Sequence, residues 1–297
     1  MTTDDFRRNS DNFCYRHPDR QSFVLCQRCM RTICPECQTP GAVGVICPEC
    51  LQNQQKAQSP AQRKAERRWS RPRAVTMAGG QPIVTYTIIG ITAFVYLLQL
   101  IPGIGGTVED ALLFWAPYLY PSLSGTFEPW RLLTGALVHS SFWHVGLNML
   151  ALWMIGRTLE PLLGRWRFAT LYVLSVLGGS VAVTLLSFST PVVGASGAIF
   201  GLFGALLIIG RHLGANIAGI GIVLAINLVI GFIPGFNVSW QAHVGGLVVG
   251  LVIGFIFTRT RAARQRNLQI ALLVAVGAVL IALLFVPVLL PGLVIGR

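Results

Sequence analysis

Charge is what this 297-residue chain has least of. Its 23 basic and 11 acidic side chains make up 11% of the residues, where soluble domains carry about 25%. With glycine counted and tyrosine left out, about 62% of the chain is apolar, against roughly 45–50% for soluble domains. A water-soluble protein of this size could not cover its surface with so few charges, so secreted, disordered and ordinary cytosolic classes are excluded. Acidic residues stop altogether at Glu160, and cysteine is confined to the stretch from Cys14 to Cys50. The first 80 residues contain no apolar core that could serve as a signal peptide. These absences divide the chain into a small polar N-terminal module, a basic linker and a long membrane domain.

Apolar runs of spanning length, roughly 17–25 residues, occupy 83–101, 135–156, 168–188, 196–213, 217–233, 241–258 and 268–290. They are rich in internal glycine and lack the period of two of barrel strands, so seven helices are predicted. His139, Ser140, Ser141 and His144 interrupt the second run, and no Asp or Glu falls within any of the seven. The predicted organisation is a disordered N-terminus (1–13), the Cys-rich module (14–52), the basic linker (53–82), a six-helix domain (83–258), and a basic loop with one more helix (259–297).

The arginines set the orientation. Lys56, Arg63, Lys64, Arg67, Arg68, Arg71 and Arg73 precede the first span; Arg157, Arg165 and Arg167 follow the second, Arg211 the fourth, and Arg259, Arg261, Arg264 and Arg266 the sixth. The alternate loops are nearly free of basic residues; Arg131 and Arg297 are the exceptions. The positive-inside rule then puts the N-terminus in the cytoplasm and the C-terminus outside. The formal net charge of +12 is thereby explained by topology and contact with the lipid bilayer, and nucleic acid is disfavoured as a partner. The 21 Arg against 2 Lys suggest a high-GC bacterium and its plasma membrane.

The cysteines fall in pairs: Cys14-x2-His17, Cys26-x2-Cys29, Cys34-x2-Cys37 and Cys47-x2-Cys50. Eight ligands suit two tetrahedral zinc ions. Seven cysteines are an odd number, and a cytoplasmic module sits in a reducing compartment, which argues against a disulfide framework. A module of about 40 residues buries little apolar surface, so metal supplies its folding energy. The pair order resembles a B-box-like cross-braced finger. That resemblance implies one ion on Cys14, His17, Cys34 and Cys37 and another on Cys26, Cys29, Cys47 and Cys50, in a structural module that docks a protein partner.

Polar groups inside spans are functional suspects by default. His139, His144 and Asn148 lie on the second run, Ser196 opens the fourth within Gly194-Ala195-Ser196-Gly197, and His243 opens the sixth. Those three runs share a direction under the topology above, so these residues lie at one depth near the outer face. Taken singly, Ser196 reads as a small-residue packing position and Gly197, Gly201, Gly204, Gly246, Gly250 and Gly254 as close-approach faces; the shared depth favours a site. Serine acyl transfer fits, because a hydroxyl needs a base and His is the usual one. With no carboxylate at hand, a dyad is expected in place of a triad. His144 and Asn148, four residues apart on one helical face, can donate to an oxyanion together with the Ser196 N–H.

Here the chain resembles the rhomboid family of intramembrane serine proteases. The resemblance is carried by Glu128-x-Trp130-Arg131, His139-x4-His144-x3-Asn148, Gly194-Ala195-Ser196-Gly197 and Ala242-His243-x2-Gly246-x3-Gly250. It implies an all-α polytopic helix bundle of the six-plus-one type. It also implies Ser196 as nucleophile, His243 as base, and His144 and Asn148 in the oxyanion hole. Phe200 stands where the family often has Tyr, so stacking on the catalytic His is expected without a hydroxyl. Gly194, Gly197 and His139 support the site, Glu128 and Arg131 shape the first loop, and His212 has no catalytic part. The implied reaction is cleavage of substrate transmembrane helices near the outer face, with no cofactor for catalysis. Two rivals remain at this point: a non-catalytic rhomboid-like protein that binds membrane clients, and a small helical transporter.

Overall fold

A computed structural model of the chain describes residues 10–40, 44–57, 81–231, 233, 238–290 and 292. Most of the expected disordered N-terminus, the arginines of the linker, and Arg297 lie outside the described residues. The chain folds as two compact units, Met1–Thr76 and Met77–Arg297.

In the first unit, two short antiparallel ladders pair β1 (Phe13–Cys14) with β2 (His17–Gln21) and β3 (Thr39–Pro40) with β4 (Val45–Ile46). So few residues cannot form an ordinary apolar core. Its buried centre is Cys14, Cys26, Cys34, Cys37 and Cys47 around one large apolar side chain, Ile33. The Cys26-x2-Cys29 turn closes with Met30 N–H donating to the Cys26 carbonyl at 2.9 Å, and Met30 takes a left-handed φ of 60° there. Helix α1 (Pro48–Ala57) starts directly after Cys47, with proline at the first helical position, where no N–H is required.

The second unit is helical: α2 (Ile83–Gln99), α3 (Gly105–Leu112), α4 (Phe142–Leu163), α5 (Arg165–Leu186), α6 (Ser196–His212), α7 (Ala218–Ile230), α8 (Trp240–Arg259) and α9 (Arg266–Leu283). Among the described residues, α5, α8 and the stretch Ala263–Leu289 that contains α9 are long and apolar enough to cross a membrane, while α2, α6 and α7 are shorter apolar helices. Ile226, Val229, Val248, Phe255, Val274 and Val279 all point outward, more than half exposed. An apolar exterior on this scale is the surface of a protein solvated by lipid.

The second helix departs from the hydropathy reading, which began it at residue 135. It starts at Phe142, because the Ser141 hydroxyl caps it by accepting from His144 N–H at 3.2 Å. It also runs on through Arg157 to Leu163. Glu160 therefore lies within the helix of the second run, which was expected to end at residue 156 and to hold no carboxylate. Its side chain is buried and accepts from the Val84 N–H (2.9 Å), the Thr85 N–H (2.8 Å) and the Thr85 hydroxyl (2.7 Å). A carboxylate thus satisfies the free donors at the start of α2 and sits at the positive end of its dipole.

The loop between α2 and α4 is organised by Arg131, which is 5% exposed. It pairs with Glu128 at 2.5 Å, donates to the Leu113 carbonyl at 3.0 Å and covers the Tyr118 ring. The same loop grips the segment before α6. Phe114 and Val192 exchange backbone bonds of 3.0 and 2.7 Å, and Gly194 N–H donates to the Gly135 carbonyl at 2.9 Å.

Helices α6 and α8 pack backbone against backbone. A Cβ on Gly246 would collide with the Gly197 carbonyl, and one on Gly250 with the Gly201 carbonyl. Such contacts supply the dispersion that holds helices together in lipid, where burial of apolar surface gives no advantage. Gly246→Ala should accordingly cost about 1–3 kcal/mol, the range for overpacking a tight core. It would be measured by denaturant titration in micelles; unchanged stability would show that the two helices can part without loss.

Candidate active site and metal clusters

Ser196 is the first residue of α6 and His243 sits in the first turn of α8. Glycine contacts bring these helix starts together, and the Ser196 Oγ lies 2.8 Å from His243 Nε2. His243 is buried, and its Nδ1 has no hydrogen-bond partner among the described residues. For Nε2 to accept the serine proton, Nδ1 must carry the ring hydrogen. That hydrogen points at no carboxylate: Glu160 lies sixteen residues beyond His144 on α4, about 24 Å along the helix axis. Phe200 stacks on the imidazole, with ring centroids 4.0 Å apart and planes at 12°.

As the first residue of a helix, Ser196 has a backbone N–H with no acceptor inside that helix. Gly194, with φ of 115°, turns the chain into α6. A Cβ there would stand 2.7 Å from His144 Nε2. His144 therefore faces the serine-bearing segment, and its other nitrogen, Nδ1, meets the Ser140 hydroxyl at 3.1 Å. Asn148 is buried on the same helix, one turn on, and its amide donates to the His144 carbonyl at 2.8 Å.

His139 packs edge-on against His144 at 4.9 Å. One tautomer satisfies both of its nitrogens, with Nδ1–H donating to the Leu137 carbonyl (3.3 Å) and Nε2 accepting from the Ala195 N–H (3.4 Å). It thereby fixes the residue just before Ser196. Gln99, which sequence reasoning did not single out, holds His139 in turn through both backbone groups, at 3.1 and 3.2 Å. Its position as the last residue of α2, polar after an apolar run, was the available signal. Ser140 was legible only as an interruption of a span.

The first unit gathers its ligand-type side chains into two groups, Cys14/His17/Cys34/Cys37 and Cys26/Cys29/Cys47/Cys50, with ligand atoms of each group within 4.8 Å of one another. His17 Nδ1 is 3.8, 3.3 and 3.4 Å from the sulfurs of Cys14, Cys34 and Cys37, and the Cys29 and Cys47 sulfurs are 3.8 Å apart. Bonds of about 2.1 and 2.3 Å in a tetrahedron put ligand atoms roughly 3.6–3.8 Å apart, so the groups fit a tetrahedral ion. Burial pushes the Cys37 thiol up to about 11 and the Cys50 thiol up to about 12, with neighbouring sulfurs adding to the effect. For Cys14 and Cys26 burial acts the same way, but backbone N–H donors outweigh it and bring both down to about 6. The three thiols of the first group, like the four of the second, ionise together only around a cation. Both groups could hold a metal ion.

Comparison with known proteins places these features. The Rhomboid domain family matches residues 126–260, which include Ser196, His243, His144 and Asn148. Rhomboid protease GluP of Bacillus subtilis (strain 168) is 35% identical over 182 residues, covering 59% of this chain and 34% of the relative. RHOMBOID-like protein 1 of Arabidopsis thaliana is 39% identical over 137 residues, 44% of this chain and 35% of the relative. Rhomboid protein 1, mitochondrial, of Saccharomyces cerevisiae is 29% identical over 206 residues, 63% and 57% of the two chains. The matched part spans about a third of the length of the Bacillus and Arabidopsis relatives. The similarity to the rhomboid family thus covers residues 126–260, the part of the chain that holds both helix starts of the site.

Proposed function

We propose that the protein is an intramembrane serine endopeptidase that cuts substrate transmembrane helices near the outer membrane face with a Ser196–His243 dyad. The observation that carries this is the 2.8 Å contact between Ser196 Oγ and His243 Nε2, within reach for proton transfer. Oγ attacks the scissile carbonyl carbon as its proton passes to Nε2, giving a tetrahedral intermediate. The C–N bond then breaks, the leaving amine takes the proton from Nε2, and an acyl ester remains on Ser196. Water, deprotonated by the same nitrogen, hydrolyses the ester and restores the serine.

The negative oxygen of the intermediate is met by the Ser196 N–H, His144 and Asn148. With Ser140 donating to Nδ1, His144 keeps a hydrogen on Nε2, the atom beside Gly194. The imidazolium that forms on His243 lacks a carboxylate partner. The Phe200 ring face, 4.0 Å away, stabilises that cation through its quadrupole. The first unit is read as a two-zinc structural module for protein docking or sensing. The arginine distribution supports a cytoplasmic N-terminus and an external C-terminus in a bacterial plasma membrane.

Ser196→Ala and His243→Ala should each abolish cleavage of a transmembrane substrate while the protein stays folded. The double variant should be little worse than either single, because the pair acts as one unit. Retained turnover in Ser196→Ala would remove the nucleophile assignment. Asn148→Ala should be milder, at or below the roughly 2.7–4 kcal/mol typical of an oxyanion donor. A fluorophosphonate probe should label the wild type at Ser196; a client-binding protein or transporter would stay unlabelled.

Zinc analysis of a 1–76 fragment should give two ions per chain, and chelation should unfold it. Because Cys37 and Cys50 are protonated at neutral pH without metal, zinc uptake should release protons, and affinity should fall as the pH is lowered. One ion per chain, or none, would contradict the two-site reading. A reporter fused ahead of residue 80 should be cytoplasmic and one fused after Arg297 external. Both on one side would mean an even number of crossings.

A further inference from the structure

At the end of the bundle remote from Ser196, four helix ends line a cavity of about 130 Å³. That is far above the roughly 10–15 Å³ one ordered water needs. Its polar lining is Arg167 from the first turn of α5, His212 from the last residue of α6, Thr258 near the end of α8 and Arg261 just beyond it. Its walls are otherwise apolar, among them Leu163, Ile209 and Phe257. No carboxylate pairs with Arg167, His212 or Arg261 among the described residues. Sequence makes that absence structural, since no acidic residue follows Glu160 and the Glu160 carboxylate caps α2. Arg167 is half-buried and held in place: its Nε donates to Gln269 Oε1 at 2.7 Å and one Nη1 hydrogen to the Leu163 carbonyl at 3.4 Å. Gln269 is itself buried and anchored on the Thr260 carbonyl and hydroxyl. Two of the five guanidinium donors are therefore used and three remain.

Arginines that only set topology have no reason to converge from separate helices on one cavity, or to be oriented by a buried glutamine. We propose that this cavity is a binding site for the anionic headgroup of a membrane phospholipid. The phosphodiester is taken by Arg167 and Arg261 with His212 as a further donor, and the glycerol and first acyl carbons lie along the apolar wall. Arginine suits a phosphate because its planar fork meets two oxygens at once. An amphiphile suits a site that joins exposed basic side chains to a buried apolar wall. The ligand class follows from the bundle's basic end facing the anionic cytoplasmic leaflet, which rests on the positive-inside reading and not on the protease reading.

The test is native mass spectrometry of the full-length protein, released from zwitterionic detergent, titrated with phosphatidylglycerol or phosphatidylcholine. Wild type should retain one phosphatidylglycerol at a concentration at least about tenfold lower than phosphatidylcholine, an affinity gap of roughly 1.4 kcal/mol. Arg261→Gln and His212→Gln, both at exposed positions, should each narrow that preference, and together remove it. Arg264→Gln, in the same basic loop but outside the cavity, should keep it. Thermal melting followed by circular dichroism alongside reports the fold of each variant independently of any activity. Equal retention of the two lipids by wild type overturns the proposal, as does a loss in Arg264→Gln equal to that in Arg261→Gln. Displacement of phosphatidylglycerol by millimolar inorganic phosphate assigns the site to a free anion and overturns the lipid.

Discussion

The contact between Ser196 and His243 depends on how closely two helix backbones can approach. Gly197 and Gly201 on α6 meet Gly246 and Gly250 on α8 with no side chain between them. Gly197 follows the serine directly, and Gly246 comes three residues after the histidine. The same interface that supplies packing energy therefore sets the Oγ–Nε2 separation of 2.8 Å. No third side chain among the described residues bonds to the far nitrogen of His243. The backbone contact, with the flat face of Phe200 behind the ring, does the positioning that a carboxylate performs in a Ser-His-Asp triad.

The rest of the bundle follows a second constraint, that a polar group costs least inside it when it finds a partner. Glu160 caps α2, Gln99 holds both backbone groups of His139, and Gln269 joins Arg167 to Thr260. Each ties two segments far apart in sequence. They act as directional joints in a fold where apolar contact alone would let helices slide. Arg131 does the same for the first loop, and the Phe114–Val192 bridge passes that rigidity to the turn carrying Ser196.

Composition and spacing made much of this legible. Long apolar runs announced the helices, and the three polar segments at one depth announced the residues now found around Ser196. Legibility failed where the signal depended on a partner. The start of α4 was misplaced because hydropathy does not see that Ser141 caps a helix while Ala136 and Val138 upstream are buried in a loop. Glu160 looked like a loop residue because Arg157 and Arg165 flank it. Only the fold reveals that its charge lies against the N-terminus of a helix 75 residues earlier. Gln99 and Ser140 carry no pattern at all until His139 and His144 are placed beside them.

Helix α7, Ala218–Ile230, has 13 residues and is about 20 Å long. Helix α5 has 22, close to 33 Å at the same rise. The flank that α7 forms, with Ile222, Ile226 and Val229 exposed, is thus a low wall against a hydrocarbon layer of about 30 Å. Lipid beside the low wall has to thin, because a short hydrophobic flank draws headgroups and water inward. The bilayer around this protein is therefore lopsided, and hydration reaches deepest on one side.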